Sequence, residues 1–489
     1  MRGDGPVPRW RRLALAAGPL LLVLTWLMPA PAGMAGPAWH TAGLAAWMAI
    51  WWSSEAVPVP VTALLPLLVL PLAGVVPIEA AAAAYAHPLI FLFLGGFLLA
   101  LAIQKHGLHR RVALSIVDRL GTRPTALVGG FLAASALLSM WVSNTATAMM
   151  MLPIAISVIA TVTARDDAAG SGEADRRQPA FATALLLAVA YGASIGGLGT
   201  LIGTPPNALL AAFAQAHYGI QIGFAQWMLV GLPLAALLGA CAWLVLTRLA
   251  FDLRGLPAAI DASTIGAQLA ALGRLSRNER RVAAVFAATA LLWVLRPALN
   301  SLPPLTTLTD PAIAIAAAVV LFLLPAANGG RLLVWRDAQA LPWGTLLLFG
   351  GGLSLAAAIG ASGLADWIGL ALGRLAGWPA LALVLLVTAI VVFLTELTSN
   401  TATTATFLPL MGVLALAADL APLMLMAPAA LAAGAAFMLP VATPPNAIVH
   451  GSGRVAIPDM ARAGLWLNLA AVALIALLVP MLVGVIFRA

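Results

Sequence analysis

Apolar residues run in blocks of about 20, separated by short polar breaks, along the whole chain. Blocks of that length cross a hydrocarbon layer of about 30 Å as helices. They predict membrane spans near residues 12–32, 39–55, 59–76, 88–105, 180–215, 224–250, 281–298, 310–326, 343–372, 424–450 and 461–487. Two further apolar segments, 125–163 and 378–417, are each too long for one span, and each turns on a Ser-Asn-Thr at its middle. They predict re-entrant hairpins that enter and leave on one side. Non-helical backbone at membrane depth is tolerated where it lines a cavity or is buried in protein. The blocks are continuous and do not alternate, which excludes a transmembrane β-barrel. The fold class is therefore an all-α membrane protein with about 11 transmembrane helices and two re-entrant hairpins.

The polar breaks repeat. Ser143-Asn144-Thr145 returns as Ser399-Asn400-Thr401, 256 positions later, and each copy runs on through Ala-Thr to a Leu-Pro. The same offset aligns Gly95-Gly96 with Gly351-Gly352 and Gly107-Leu108 with Gly363-Leu364. Thr204-Pro205-Pro206-Asn207 returns as Thr443-Pro444-Pro445-Asn446, now 239 apart, because only the first copy carries a polar stretch from Arg165 to Gln178. In membrane transporters, apolar segments interrupted at matching positions in two halves point to the binding site.

Charge decides how the copies are oriented. Lys105, Arg110, Arg111, Arg119, Arg123, Arg165, Arg176 and Arg177 flank the first hairpin, and Arg274, Arg277, Arg280 and Arg281 lie on the same side by span parity. That side is cytoplasmic. The matching region around 361–433 has only Arg374, so the repeats are inverted and the second hairpin enters from outside. The net charge of +8 reflects this bias and gives no reason to expect nucleic acid. Overall, 62% of residues are hydrophobic and 9% charged, outside the range of soluble globular chains. The one cysteine, Cys241, excludes an intrachain disulfide framework. Arg9, Arg11 and Arg12 before an apolar run are compatible with a signal peptide, but a second apolar run follows at once and favours an uncleaved first span. Trp39, Trp47, Trp51 and Trp52 are expected at the membrane interface, and Asp252–Asn278 as a polar connector between the halves.

The breaks carry the chemistry. Ser, Asn and Thr both donate and accept hydrogen bonds and favour helix N-caps. A tip of this kind leaves the amides of the following helix facing the cavity, with roughly half a positive charge. Two tips meeting near the midplane would present two such ends to one anion. Each TPPN segment breaks its own span, near Gly203-Thr204 and at Ala442-Thr443, and frees carbonyls suited to Na⁺. No basic side chain is expected near either tip, so the anion's charge requires co-bound cations. Glu55 and Glu396 are the clearest charges inside apolar segments. A coupling role for Glu396 competes with that of a hydrogen-bonded structural acid, and Glu55 reads as structural. The six histidines fall mostly at span ends without metal-ligand spacing.

At these residues the chain resembles the divalent anion/sodium symporter family. The match runs from about residue 40 to the end and includes both Ser-Asn-Thr motifs, both TPPN motifs and the segment LPVATPPNAIV. The resemblance implies a homodimer working as an elevator, with scaffold and transport domains. The scaffold falls mainly in 1–124 and 251–377, with the connector in the latter, and the transport elements in 125–250 and 378–489. It implies one sodium site at Ser139, Asn144 and the Gly203 carbonyl, and a second at Thr395, Asn400 and the Ala442 carbonyl. The substrate would meet Ser143, Asn144, Thr145, Thr204, Ser399, Asn400, Thr401, Thr443 and Pro444. Some family members have Ser where this chain has Thr204. The implied activity is sodium-coupled uptake of a C4-dicarboxylate across the cell inner membrane, with sodium as coupling ion and no organic cofactor. The implied partners are a small anionic substrate and membrane lipid. Exchange without sodium, or citrate or sulfate transport on the same fold, are the alternatives. An integral-membrane enzyme would need clustered acids or a Ser/His/Asp set, and neither is present.

Overall fold

A computed structural model describes residues 9–121, 123–169, 174–251, 253, 262–327, 329–372 and 377–487. Arg374 and Asp252, used above for orientation and for the connector, lie outside them. No β-strand occurs among the described residues.

Helices α1 (Arg9–Leu27) and α2 (Gly36–Ser54) pack on each other ahead of the repeats. The first repeat follows as α3 (Val59–Thr62), α4 (Leu65–Leu72), α5 (Ile78–Ala83), α6 (Pro88–Lys105) and α7 (Leu108–Leu120). Its hairpin is α8 (Pro124–Ser139) and α9 (Asn144–Ala169). Its broken span is α10 (Ala174–Gly197) and α11 (Pro205–Tyr218), followed by α12 (Phe224–Leu244). The connector contains α13 (Ala262–Ala271). The second half is α14 (Arg277–Leu299), α15 (Asp310–Leu323), the short α16 (Trp335–Ala338), α17 (Trp343–Ala361) and α18 (Leu364–Leu372). Its hairpin is α19 (Ala380–Thr395) and α20 (Asn400–Ala417), and its broken span α21 (Leu423–Ala433) and α22 (Pro444–His450), before α23 (Ile457–Ile486). Among the described residues eight helices are long and apolar enough to cross a bilayer, the hairpin arms α9 and α20 among them.

Local chemistry sets these boundaries. Proline stands in the first turn of α6, α8, α11, α15 and α22, where its missing N–H costs nothing and its φ suits a helix. Gly107 and Gly363, at φ 73 and 79, turn the chain between α6 and α7 and between α17 and α18. The repeat therefore extends to α7 and α18, both amphipathic helices. The expected single span 343–372 is corrected on this point: it ends at Ala361, and α18 is a separate helix beyond the Gly363 turn. The expected span 59–76 is likewise interrupted, at Ala63-Leu64. Trp52 is buried, with its indole N–H donated to the Val59 carbonyl, so it packs a helix junction and is not an interfacial anchor.

Helix contacts obey the same two-fold repetition. A Cβ added at Gly95 would sit 2.6 Å from Ala314, and one added at Gly351 would sit 2.3 Å from the Ala63 carbonyl oxygen. The paired glycines let α6 lie against α15, and α17 against α3. Deeper inside, α10 packs along α8, and 94% of its span is buried. The core thus gathers around the hairpins and broken spans, and the lipid-facing helices surround it.

Candidate functional site

Both hairpin tips and both helix breaks open into one cavity of about 1010 Å³. Ser143, Asn144, Thr145, Thr204, Ser399, Asn400, Thr401, Thr443 and Pro444 all line it, as do Gly203 and Ala442. Ser139 and Thr395 stand behind the tips. The Ser139 hydroxyl donates to Asn144 Oδ1 at 2.5 Å, and the Thr395 hydroxyl donates to Asn400 Oδ1 at 2.8 Å. Every residue expected at the site from the sequence is thereby brought into one place, from segments some 300 positions apart.

The tips form for local reasons. α8 ends at Ser139 and α9 starts at Asn144; α19 ends at Thr395 and α20 starts at Asn400. The Ser143 hydroxyl accepts the Ala146 amide at 3.3 Å, and Thr398 and Thr403 share a hydroxyl hydrogen bond of 2.7 Å across the second tip. The first-turn amides of both exit helices have no partner within their helix. Two more helix N-termini, of α11 and α22, start at cavity-lining Pro205 and Pro444. Each begins with two prolines, which bring no N–H, so these two ends add helix polarity but no first-turn donors beyond those of the tips.

Unwound backbone supplies the opposite polarity. The first break spans residues 198–204, between α10 and α11, and the second spans 434–443, between α21 and α22. A Cβ added at Gly197 would lie 2.8 Å from Asn144 Oδ1 and 3.2 Å from the Gly203 carbonyl oxygen. Those two oxygens, with Asn144 Nδ2 at 3.1 Å, crowd the space beside Gly197 that a side chain would fill. The matching position in the second copy is Ala436.

Two roles were missed from the sequence. The last residue of each TPPN motif, fully buried, is a clamp on its break. Asn207 Nδ2 donates to the carbonyls of Gly197 at 3.1 Å and Thr200 at 2.8 Å; Asn446 Nδ2 donates to those of Ala436 at 3.4 Å and Leu439 at 3.0 Å. The duplication of the whole motif was the available signal. The other concerns charge. Arg11 of α1 reaches the cavity wall, its guanidinium 3.9 Å from Glu55, which caps α2 in a left-handed conformation. Among the described residues it is the one lysine or arginine lining the cavity. Nothing in the sequence pattern ties position 11 to position 144.

Glu396 proves to be a hydrogen-bonded anchor. Its carboxylate accepts the backbone amides of Phe437 at 2.7 Å, Met438 at 2.9 Å and Leu439 at 3.0 Å, and the Asn468 side-chain amide at 2.8 Å. It ties the second hairpin to the second break. The first copy has Met140 at this place, and there the Thr200 hydroxyl donates to the Met140 carbonyl at 2.6 Å. The repeats are alike in their cavity-facing groups and differ in what braces them from behind.

Residues 9–487 match the family model for the transmembrane region of sodium:sulfate symporters. A sodium-dependent dicarboxylate transporter of Staphylococcus saprophyticus is 43% identical over 477 residues, covering 96% of this chain and 91% of that one. Its namesake in Staphylococcus aureus strain USA300 is 41% identical over 493 residues, covering 98% and 93%. Among solved structures, the YdaH transporter of Alcanivorax borkumensis superposes with a TM-score of 0.59 at 16% identity, covering 96% of this chain and 98% of that one. MtrF of Neisseria gonorrhoeae gives 0.59 at 13%, covering 96% and 95%. At those identities the two structures speak for the fold alone.

Proposed function

The chain belongs to the divalent anion/sodium symporter family, and we propose that it couples sodium entry to uptake of a C4-dicarboxylate such as succinate, malate or fumarate. It is a transporter and not an enzyme. One observation carries the coupling: at both tips, an asparagine held by a hydroxyl from behind stands on the wall of a shared cavity beside unwound carbonyls. Each asparagine then serves a cation on one side and the substrate on the other. Neutral donors and helix ends face the anion, so sodium supplies most of the compensating charge. The reading extends to a homodimer in the cell inner membrane, as the family resemblance implies.

A thermal-stability screen tests it, because a ligand that binds only the folded state raises its stability. Succinate should raise the Tm of the purified protein in sodium and fail to do so in choline. Citrate, sulfate and 2-oxoglutarate should act weakly. Stabilisation by sulfate without succinate would move the substrate to the inorganic anion, and stabilisation by succinate in choline would end the sodium reading.

We infer further that access alternates by an elevator movement. The cavity wall runs from the tips to Gln104, Leu341 and Glu55, near helix ends on the basic, cytoplasmic side. This arrangement is the inward-open end state. The site draws on both hairpins and both breaks, so moving one piece alone would dismantle it. The glycines Gly96 and Gly352, 256 positions apart, each touch the proposed transport unit, one at the first break and the other at the second hairpin. A Cβ at Gly96 would lie 3.5 Å from Ile202 Cβ, and one at Gly352 would lie 3.5 Å from Ala405 Cβ, the separation a disulfide spans. With Cys241 replaced by serine, the pairs Gly96→Cys/Ile202→Cys and Gly352→Cys/Ala405→Cys should each stop uptake on oxidation and regain it on reduction. Substrate binding should survive. Full uptake through a quantitatively formed disulfide would refute the rigid-body movement.

A further inference from the structure

At the cytoplasmic end of α14, Arg277, Arg280 and Arg281 converge with Ala284 around a shallow concavity of about 380 Å³. Three guanidinium groups on the first turns of a helix are unfavourably placed. They repel one another, and they sit at the positive end of the helix dipole, where anions are preferred. The acid in that turn does not relieve them. Glu279 is taken by Arg111, at 2.8 and 3.4 Å, and by the Ser276 amide at 2.8 Å in a capping box. Arg281 donates to the Pro325 carbonyl, and no carboxylate among the described residues pairs with Arg277 or Arg280.

The helix below the cluster is left largely uncovered by the rest of the chain. Only 17% of its span is buried, the lowest share among the eight long apolar helices. One face descends from Arg280 through exposed Ala284, Ala287 and Ala288 to exposed Leu291 and Leu295. The spacing of three to four residues keeps these on one side of the helix. Small side chains directly beneath a guanidinium cluster leave a shallow trough, and leucines continue it towards the bilayer centre.

We propose that this cluster is a binding site for the phosphate headgroup of an anionic phospholipid of the inner leaflet, with one acyl chain lying along the alanine face. The phosphate supplies the negative charge that the helix end and the arginines lack, and guanidinium groups match it through bidentate hydrogen bonds. A lipid fits better than a soluble phosphate because the trough continues down an apolar, largely uncovered helix. The site is separate from the transport cavity and independent of the substrate assignment.

Full-length protein reconstituted in nanodiscs of phosphatidylcholine with a minor fraction of phosphatidylglycerol supplies the test, with lipid retained after extraction read by native mass spectrometry. Wild-type protein should retain phosphatidylglycerol over phosphatidylcholine. Arg277→Gln with Arg280→Gln should cut that preference about tenfold or more, given roughly 1 kcal/mol per basic residue at an anionic surface. Arg281 is left in place because it braces the Pro325 loop. The charge-matched control Arg110→Gln with Arg119→Gln, exposed on the same side, should leave the preference intact. Glycerol 1-phosphate at millimolar concentration should not displace the lipid. An equal loss in the control would reduce the effect to a diffuse surface field and overturn the site. Displacement by glycerol 1-phosphate would reassign it to soluble phosphate. A double variant that keeps its lipid but falls from dimer to monomer would make this face a contact between protein copies, and the lipid proposal would be wrong.

Discussion

Asn144→Ala and Asn400→Ala should each remove sodium-dependent succinate binding, with the affinity in saturating sodium falling roughly 100-fold or more. The magnitude follows from linkage. If one side chain serves both ligands, its loss removes its direct contact with the anion and the coupling between anion and cation, and coupling alone is typically worth about 1–3 kcal/mol. The hydroxyls behind them should matter less. Ser139→Ala and Thr395→Val leave the asparagines present but no longer held at 2.5 and 2.8 Å. Loss of one such hydrogen bond weakens binding about two- to thirteenfold, at roughly 0.5–1.5 kcal/mol. Titration calorimetry of succinate at several sodium concentrations separates the cases. In the wild type, succinate affinity rises with sodium and sodium affinity rises with succinate by the same factor. In the alanine variants both dependences flatten. An Asn144→Ala protein whose succinate affinity still climbs with sodium as steeply as the wild type would disprove the dual role.

Glu396→Leu is expected to prevent stable folding, and Glu396→Gln to leave a folded but weakened protein. The carboxylate is buried and accepts three backbone amides and one side-chain amide. Leucine would orphan all four donors. Each unsatisfied buried group costs about 1–3 kcal/mol, so the sum approaches the whole stability of a typical domain, about 5–15 kcal/mol. Glutamine keeps one acceptor oxygen but turns an NH₂ towards an amide donor, with a cost of about 1.5–3 kcal/mol for the lost charge-assisted bond. Tm measurements on the two variants, with detergent-extracted yield for the leucine change, give the comparison. Sodium affinity should fall in the glutamine variant, because the break carrying the Ala442 carbonyl is held less firmly. A leucine variant as stable as the wild type would show that the anchor is dispensable.

The sequence by itself determined the elements and their pairing. Span length is imposed by the thickness of the hydrocarbon layer, and the repeat is written in identical tripeptides at a constant offset. Both properties are one-dimensional, so hairpins and breaks were legible without contacts. The residues that come to line the cavity were legible for the same reason. Small polar and helix-breaking residues have few structural uses in the middle of an apolar run, and here they came in matched pairs.

What lay beyond the sequence is whatever depends on which surfaces meet. The span 343–372 read as continuous because α18 is as apolar as the helix before it; only the Gly363 turn and packing against the hairpin set it apart. Trp52 reads as an interfacial residue by type and position, and burial against the α2–α3 junction decided otherwise. Glu396 was an isolated acid in an apolar stretch until the break at 437–439 was seen to wrap its carboxylate. Arg11 entered the cavity wall because α1 packs beside α2, a contact that no periodicity encodes. Hydropathy fixes how deep a residue lies in the membrane, but not its neighbour across a helix interface. That neighbour is chosen by side-chain volume and hydrogen-bond satisfaction, which exist only once the helices are packed.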